Sequence, residues 1–383
     1  MTIPLPIALV NARPVGIAEL AASAVARAPA PDRHGTFPVE AIAALRGAGL
    51  LVAPLPEALG GAGLCTPGGA DRLRDVLRGI GRGNLAVGRI YEGHVNALAL
   101  VLRYGSDPVR ARFAADARAG HLFGVWNTEP AEPGGLALGT EADPAVLTGA
   151  KSYASGAGHV TRPLVTARLP DGRRQMLVVP LDPEARAELA DWRAHGMRAS
   201  ATGTVDFSGL RIEPLDRIGA PDDYYRQPFF AAGAWRFLAV QCGGIEAVLE
   251  AHRGHLTATG RSGDPHQRAR LGQAATAAET ARLFVEHAAR LATTEPVEGD
   301  RAVAYVALAR GAVERAGLDA IELAQRSVGL SGFLEAHPLE RLVRDLATYL
   351  RQPAPDGALV SAAAYVAGAD APVHALWHDP EPT

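Results

Sequence analysis

Two cysteines, Cys65 and Cys242, are all that the 383 residues contain. They lie far apart with no Cys-x-x-Cys spacing, which argues against a disulfide framework or a cysteine zinc site and points to a reducing, cytoplasmic setting. An excess of one charge is also missing: 38 Lys plus Arg face 41 Asp plus Glu, a net charge of -3. That balance leaves no basic footprint for nucleic acid and no polybasic patch for a membrane surface. No apolar run is long enough to span a bilayer. The N-terminal "MTIPLPIALVNARPVG" has prolines inside its apolar run and no cation ahead of it, unlike a signal peptide. The expected partners are a small molecule and further copies of the chain, and at this length ordinary burial can stabilise the fold without covalent staples.

Common catalytic words are absent as well: there is no phosphate-binding Walker loop, no HExxH and no GxSxG. "HRGH" sets His252 and His255 on one helical stretch, but without an acidic or cysteine companion it reads as a solvated helix face, and His266 in "GDPHQR" reads as a loop residue. "GIGRGN", Gly79 to Asn84, looks like a dinucleotide fingerprint, yet it follows a helical stretch and not a strand, so it reads as a turn.

What is present is a change of texture along the chain. From Ile17 to about Leu122 apolar residues recur three and four apart, as in "ADRLRDVLRGI" and "GRIYEGHVNALALVLRYG", which specifies an all-helical first domain, residues 1–122. From Phe123 short runs rich in Val, Leu and Thr are broken by Pro-Gly, Thr-Gly and Asp-Gly, the spacing of antiparallel strands in a small barrel or sandwich, residues 123–228. After Pro228 four long helical segments return, ending in "HPLERLVRDLATYLRQ", and suggest an antiparallel four-helix bundle over residues 229–383. The fold class is α+β.

This helix, β, helix order and four words within it resemble the acyl-CoA dehydrogenase superfamily of flavoproteins. The words are Thr-Glu-Pro in "WNTEP", Gly-x-Lys-x-aromatic in "TGAKSYASGAG", the strand "GMRASATGTVDFSGLRI", and "GLSGFLEAHPLERLVRD" with its Gly-rich loop, Pro-x-Glu and Arg-Asp. The resemblance implies a flavin, FAD with FMN as the alternative, held against the β domain. Trp126, Asn127 and Thr128 match the stretch laid along the isoalloxazine; Tyr153 falls where the family has a Trp beside the ring, and Ser155 where it has a Thr near flavin N5. Strand packing is the plain alternative for Tyr153 and Ser155. Gly134 or Gly135 replaces the family's flavin-binding Ser, and Gly329 opens the Gly-rich loop. The arginine that reaches the cofactor's pyrophosphate across a subunit interface is matched by Arg261, with Arg268 an equal candidate.

The resemblance also exposes a gap. The family's dehydrogenation removes an α-proton of an acyl-CoA thioester with a Glu, which would fall at Pro353; the alternative position precedes an Arg like Arg236 and holds Trp235. Neither a proline nor an indole can serve as the base. Trp235 and Arg236 are expected on the substrate side. Asp356 is the nearest acid to the gap, although Pro-Asp-Gly is strong turn chemistry.

A branch of the same fold dispenses with the base: its monooxygenases take reduced flavin from a partner reductase and react it with oxygen in a dry pocket with neutral donors. His94 and Ser155 resemble residues those enzymes place beside the flavin, and Glu92 and Asn96 share the helical stretch with His94, for which a satisfied core histidine is the plain alternative. Three readings follow. One is a flavin monooxygenase or oxidase; the second is an acyl-CoA dehydrogenase with Glu92 or Asp356 as a displaced base, passing electrons to an electron-transfer flavoprotein; the third is a non-catalytic binding or assembly protein. The resemblance implies a homodimer or homotetramer.

Overall fold

The computed structural model describes residues 16–131, 134–139, 144–182, 184–294 and 299–377. Most of the N-terminal stretch read above against a signal peptide, residues 1–15, lies outside them.

Six helices come first: α1 (Ile17–Arg27), α2 (Pro29–His34), α3 (Val39–Gly47), α4 (Ala70–Gly83), α5 (Leu85–Tyr104) and α6 (Asp107–Arg118). The supposed turn "GIGRGN" is instead the last turn of α4 plus the cap of α5. Asn84 Oδ1 accepts from the amides of Ala86 at 2.9 Å and Val87 at 3.3 Å, which satisfies donors a helix start would otherwise leave unpaired. The glycines serve packing. A Cβ on Gly81 would lie 2.2 Å from the Val240 carbonyl oxygen, so this residue type lets α4 cross a later helix backbone to backbone.

The middle region carries β1 (Phe123–Trp126), β2 (Ala137–Gly139), β3 (Ala145–Thr148), β4 (Ala150–Ala154), β5 (Arg162–Arg168), β6 (Arg174–Val178), β7 (Ala187–Glu188), β8 (Gly203–Asp206), β9 (Arg211–Ile212) and β10 (Arg217–Ile218). One sheet runs β10-β6-β5-β2-β3-β9 with β1 also on β5; a second runs β4-β8-β7. The purely antiparallel expectation is corrected here, because β1 and β2 both pair with β5 in parallel. The chain leaves β1 and returns to β5 only after three intervening strands, the long crossover a parallel pair requires; alternation of residues cannot reveal that.

The second helical region holds α7 (Phe229–Ala232), α8 (Trp235–Ala258), α9 (Pro265–Thr293), α10 (Gly299–Val328), α11 (Pro338–Tyr349) and α12 (Pro355–Gly368). Helices α8 to α11 are the four read from the sequence. A further helix, α12, packs on α10; its start was read as a turn because Pro-Ala-Pro-Asp-Gly carries turn chemistry, whereas Pro is equally suited to a first helical position. His266 likewise sits in the first turn of α9, whose cap Asp264 accepts from the amides of His266 and Gln267. His252 on α8 is fully buried, not solvated, and His255 Nδ1 lies 3.2 Å from His337 Nε2.

The Arg-Asp word ties the regions together. Arg344 of α11 pairs with Asp32 of α2 at 2.7 Å and with Glu340 at 2.5 Å. Its neighbour Asp345 accepts from the Met197 amide at 2.6 Å, fixing a loop of the β region on α11.

Among the described residues no helix is long and apolar enough to cross a membrane.

Candidate active site

Where the β region meets α5, α10 and the α11–α12 connection, a cavity of about 580 Å3 opens. The β side contributes Thr128, Tyr153 and Ser155, the following loop Met197, Ser200 and Thr202, and the helices Arg89, Glu314 and the run from Thr348 to Pro353. Three residues expected at a flavin thus meet at one cavity, and Pro353, the position of the missing base, lines the same space.

The backbone around it is strained. Among the described residues five non-glycines have positive φ; Tyr153 at 50° and Met197 at 58° line the cavity, and Ala201 at 44° and Ala354 at 51° adjoin lining residues. Such conformations cost energy and persist where the surroundings enforce them. Tyr153 sits at an irregularity in the β4–β8 register and is 68 % exposed. A large aromatic held outward at a strained backbone suits stacking on a flat ring.

Neutral donors lie beside it. Ser200 Oγ and Thr202 Oγ1 are 2.7 Å apart, and Thr202 Oγ1 reaches Ser155 Oγ at 3.4 Å, so three hydroxyls run in series into the cavity. Tyr349, another lining residue, has its buried hydroxyl beside Arg89. A planar heterocycle with acceptor atoms would satisfy such groups. The residues present therefore fit an isoalloxazine.

Behind this wall lies the chain's single lysine, Lys151, fully buried. Its Nζ donates to Glu129 at 3.0 Å and to the Asn127 carbonyl at 3.3 Å, and Arg174 binds the same carboxylate at 2.5 Å. Burial by itself would raise the Glu129 carboxyl, but the hydrogen bonds from Arg174 and Lys151 prevail and hold it down at about 2. The Thr-Glu-Pro and Gly-x-Lys words thus meet in one ion cluster that fixes the Asn127–Thr128 backbone.

Several expected site residues stand elsewhere. Trp126 is buried and acts indirectly, its Nε1 donating to the Ser155 carbonyl at 2.9 Å. Asn127 has its amide turned to Thr166 and Tyr225. His94 does not line the cavity: its Nδ1 accepts from the Phe123 amide at 3.1 Å and its Nε2 faces the Leu51 carbonyl at 2.8 Å. That pairing fixes a neutral ring with both nitrogens in use, as in a satisfied core histidine. Glu92, 2 % exposed, is engaged by Arg89 at 2.5 Å and by the Asn96 amide; it is one residue removed from the cavity. Asp356 is exposed in the first turn of α12, where a carboxylate favours a helix start, and does not line the cavity. Gly134 and Gly329, at φ 107° and 75°, lie outside the lining, as does Arg261, whose Nη1 donates to the Ser327 carbonyl of its own chain at 3.0 Å. Trp235 and Arg236 line a separate cavity of about 330 Å3 between α4, α5 and α8.

Sequence reasoning missed Arg89, Glu314, Ser200 and Thr202. The last two stand in the quoted word "GMRASATGTVDF", but nothing local distinguishes their hydroxyls from those of a strand end.

Burial pushes His94 down to about 4, against a raising influence of the Leu51 carbonyl. The folded value lies below the ordinary one near 6.5, so as pH falls the unfolded chain takes up the proton first. The resulting stability is full above about pH 6.5 and is lost on the way down to about 4. His94→Gln is expected to shrink the stability difference between pH 7 and pH 4.5 by about 2 kcal/mol. Denaturant unfolding at the two pH values measures this; an unchanged difference would show that His94 does not titrate as a buried neutral group.

Comparison with known proteins agrees with this geometry. Residues 16–121 match the acyl-CoA dehydrogenase N-terminal domain and residues 239–351 the acyl-CoA dehydrogenase C-terminal domain. The chain belongs to the acyl-CoA dehydrogenase family. Probable acyl-CoA dehydrogenase YngJ of Bacillus subtilis (strain 168) is 25 % identical over 334 residues, 82 % of this chain and 86 % of that protein. Dibenzothiophene monooxygenase of Mycolicibacterium goodii is 25 % identical over 222 residues, 53 % of this chain and 50 % of its own length. Among solved structures, TdsC from Paenibacillus sp. A11-2 in complex with FMN and indole superposes with a TM-score of 0.81 at 19 % identity, covering 94 % of this chain and 98 % of that one. The family thus includes relatives that dehydrogenate and relatives that oxygenate on one fold.

Proposed function

We propose that this family member is a flavin-dependent monooxygenase that uses reduced flavin supplied by a separate reductase. The observation that carries the reading is the cavity wall itself. Where a dehydrogenase would present its Glu there is Pro353, and the one carboxylate on the described lining, Glu314, is held by Arg351 at 2.9 Å. Removal of an α-proton needs a free, positioned base; oxygen chemistry needs neutral donors and exclusion of water, which the Ser155, Thr202 and Ser200 hydroxyls and the Met197 and Leu350 side chains can supply.

Bound and reduced, the flavin would supply the electrons for oxygen activation. The chain's part is then to stack Tyr153 on the ring, to offer Ser155 and Thr202 as donors at its edge, and to hold the Asn127–Thr128 backbone through Lys151. FMN and FAD both suit this wall. FMN is the flavin of the TdsC complex. A small-molecule substrate, a cytoplasmic setting for two free cysteines, and a homodimer or homotetramer using the exposed Leu330, Phe333 and Leu334 complete the reading.

Glu314, the carboxylate on the described lining, supports a second reading, dehydrogenation with itself as the displaced base. Anaerobic mixing of the flavin-loaded protein with acyl-CoA thioesters of graded chain length separates the two. No bleaching of the oxidised flavin is expected; bleaching that disappears in Glu314→Gln would instead establish dehydrogenation.

A further inference from the structure

We propose that the second cavity, walled by α4, α5 and α8, is a binding site for a small oxyanion carried on a short apolar body, seated on the Arg236 guanidinium. This inference does not depend on which reaction the flavin cavity carries out.

The cavity is about 330 Å3, with Leu64, Leu73 and Trp235 among its apolar walls. Two guanidiniums line it, Arg103 and Arg236, and no carboxylate is among its described lining residues. Arg103 is stacked on the Phe229 ring, 3.5 Å from its centroid, and so is held at the rim. Arg236 lies in the wall beside Trp235, and its guanidinium makes one hydrogen bond among the described residues, from Nε to Asn96 Oδ1. Its two terminal nitrogens have no partner there.

Charge bookkeeping along α5 explains why that matters. Arg89, on the flavin cavity, and Arg236, on this one, are joined through a single carboxylate. Glu92 binds Arg89 directly at 2.5 Å and reaches Arg236 only through the Asn96 amide. One negative charge thus serves two half-buried positive ones, and the cation without a carboxylate of its own is Arg236. A buried charge is costly unless it is paired. An oxyanion presented to the free edge of a guanidinium can form two parallel charge-assisted hydrogen bonds. The apolar walls select a short aliphatic or aromatic acid over a bare inorganic ion.

The test is calorimetric titration of the full chain with benzoate, with benzamide as the neutral isostere, at constant ionic strength. Benzoate is expected to bind saturably at one site per chain and benzamide at least tenfold more weakly; Arg236→Gln is expected to weaken benzoate about ten- to a hundredfold. If that variant does not fold, the wild-type chain decides the matter through Cys65, which lines the cavity while Cys242 is buried. Saturating benzoate should slow alkylation of Cys65 by N-ethylmaleimide. The proposal is overturned if benzoate binds no better than benzamide, if Arg236→Gln binds it unchanged, or if Cys65 labels at the same rate with and without it.

Discussion

Replacing Arg344 by Met is expected to lower the free energy of unfolding by about 3–5 kcal/mol, the usual cost of stranding buried partners of a removed charge. Arg344 is 8 % exposed and serves three elements at once: Asp32 on α2 at 2.7 Å, Glu340 on its own helix at 2.5 Å, and the His195 carbonyl of the β region at 3.2 Å. With Met in its place Asp32 is left 10 % exposed without a cation. The loop packs backbone to backbone here, since a Cβ on Gly196 would lie 2.0 Å from the Arg344 carbonyl oxygen. Denaturant unfolding should show a lower midpoint at an unchanged slope. Adding Asp32→Asn to the variant should recover part of the loss, since the stranded carboxylate is then gone. A loss below about 1 kcal/mol, the value of an exposed pair, would mean that the cluster is solvated.

Tyr153→Ala is expected to weaken flavin binding about thirtyfold. The estimate is about 2 kcal/mol for burying most of one aromatic face and its stacking contribution. Tyr153→Trp should keep the affinity, because a wider ring offers the same face. Tyr153→Gly separates binding from strain: with φ at 50° a glycine removes the steric cost of the side chain, so the flavin-free protein should be no less stable than wild type while its affinity falls. Flavin fluorescence titration gives the affinities and thermal unfolding the stabilities. Unchanged affinity in Tyr153→Ala would remove this ring from the cofactor site.

The helices were legible in the sequence because long amphipathic spacing leaves little choice, as in α4, α5 and α8 to α11. The cavity was legible in part. Thr128, Tyr153 and Ser155 belong to words whose order matched the family, and the structure brings them to one wall. Trp126 was set along the flavin by its neighbours in sequence, but alternation along β1 turns its ring into the core, where its Nε1 donates to the Ser155 carbonyl. His94 and Glu92 could not be placed from spacing alone. On a helix that is buried on more than one face, helical period does not say which neighbour a polar side chain will meet, and both were taken up by internal partners. Glu314 and Arg89 come from different helices and meet the β wall only through tertiary packing. The parallel β1–β5 pair, the continuation into α12 and the glycine crossing of α4 are likewise properties of long-range approach.

The central claim is that the cavity shelters reduced flavin for reaction with oxygen, and rapid mixing of the reduced, flavin-loaded protein with oxygenated buffer tests it most directly. A species with an absorbance spectrum distinct from both reduced and oxidised flavin is expected to form quickly and decay slowly, with its lifetime shortened by Ser155→Ala. A slow, direct return to the oxidised spectrum with no species between would contradict it.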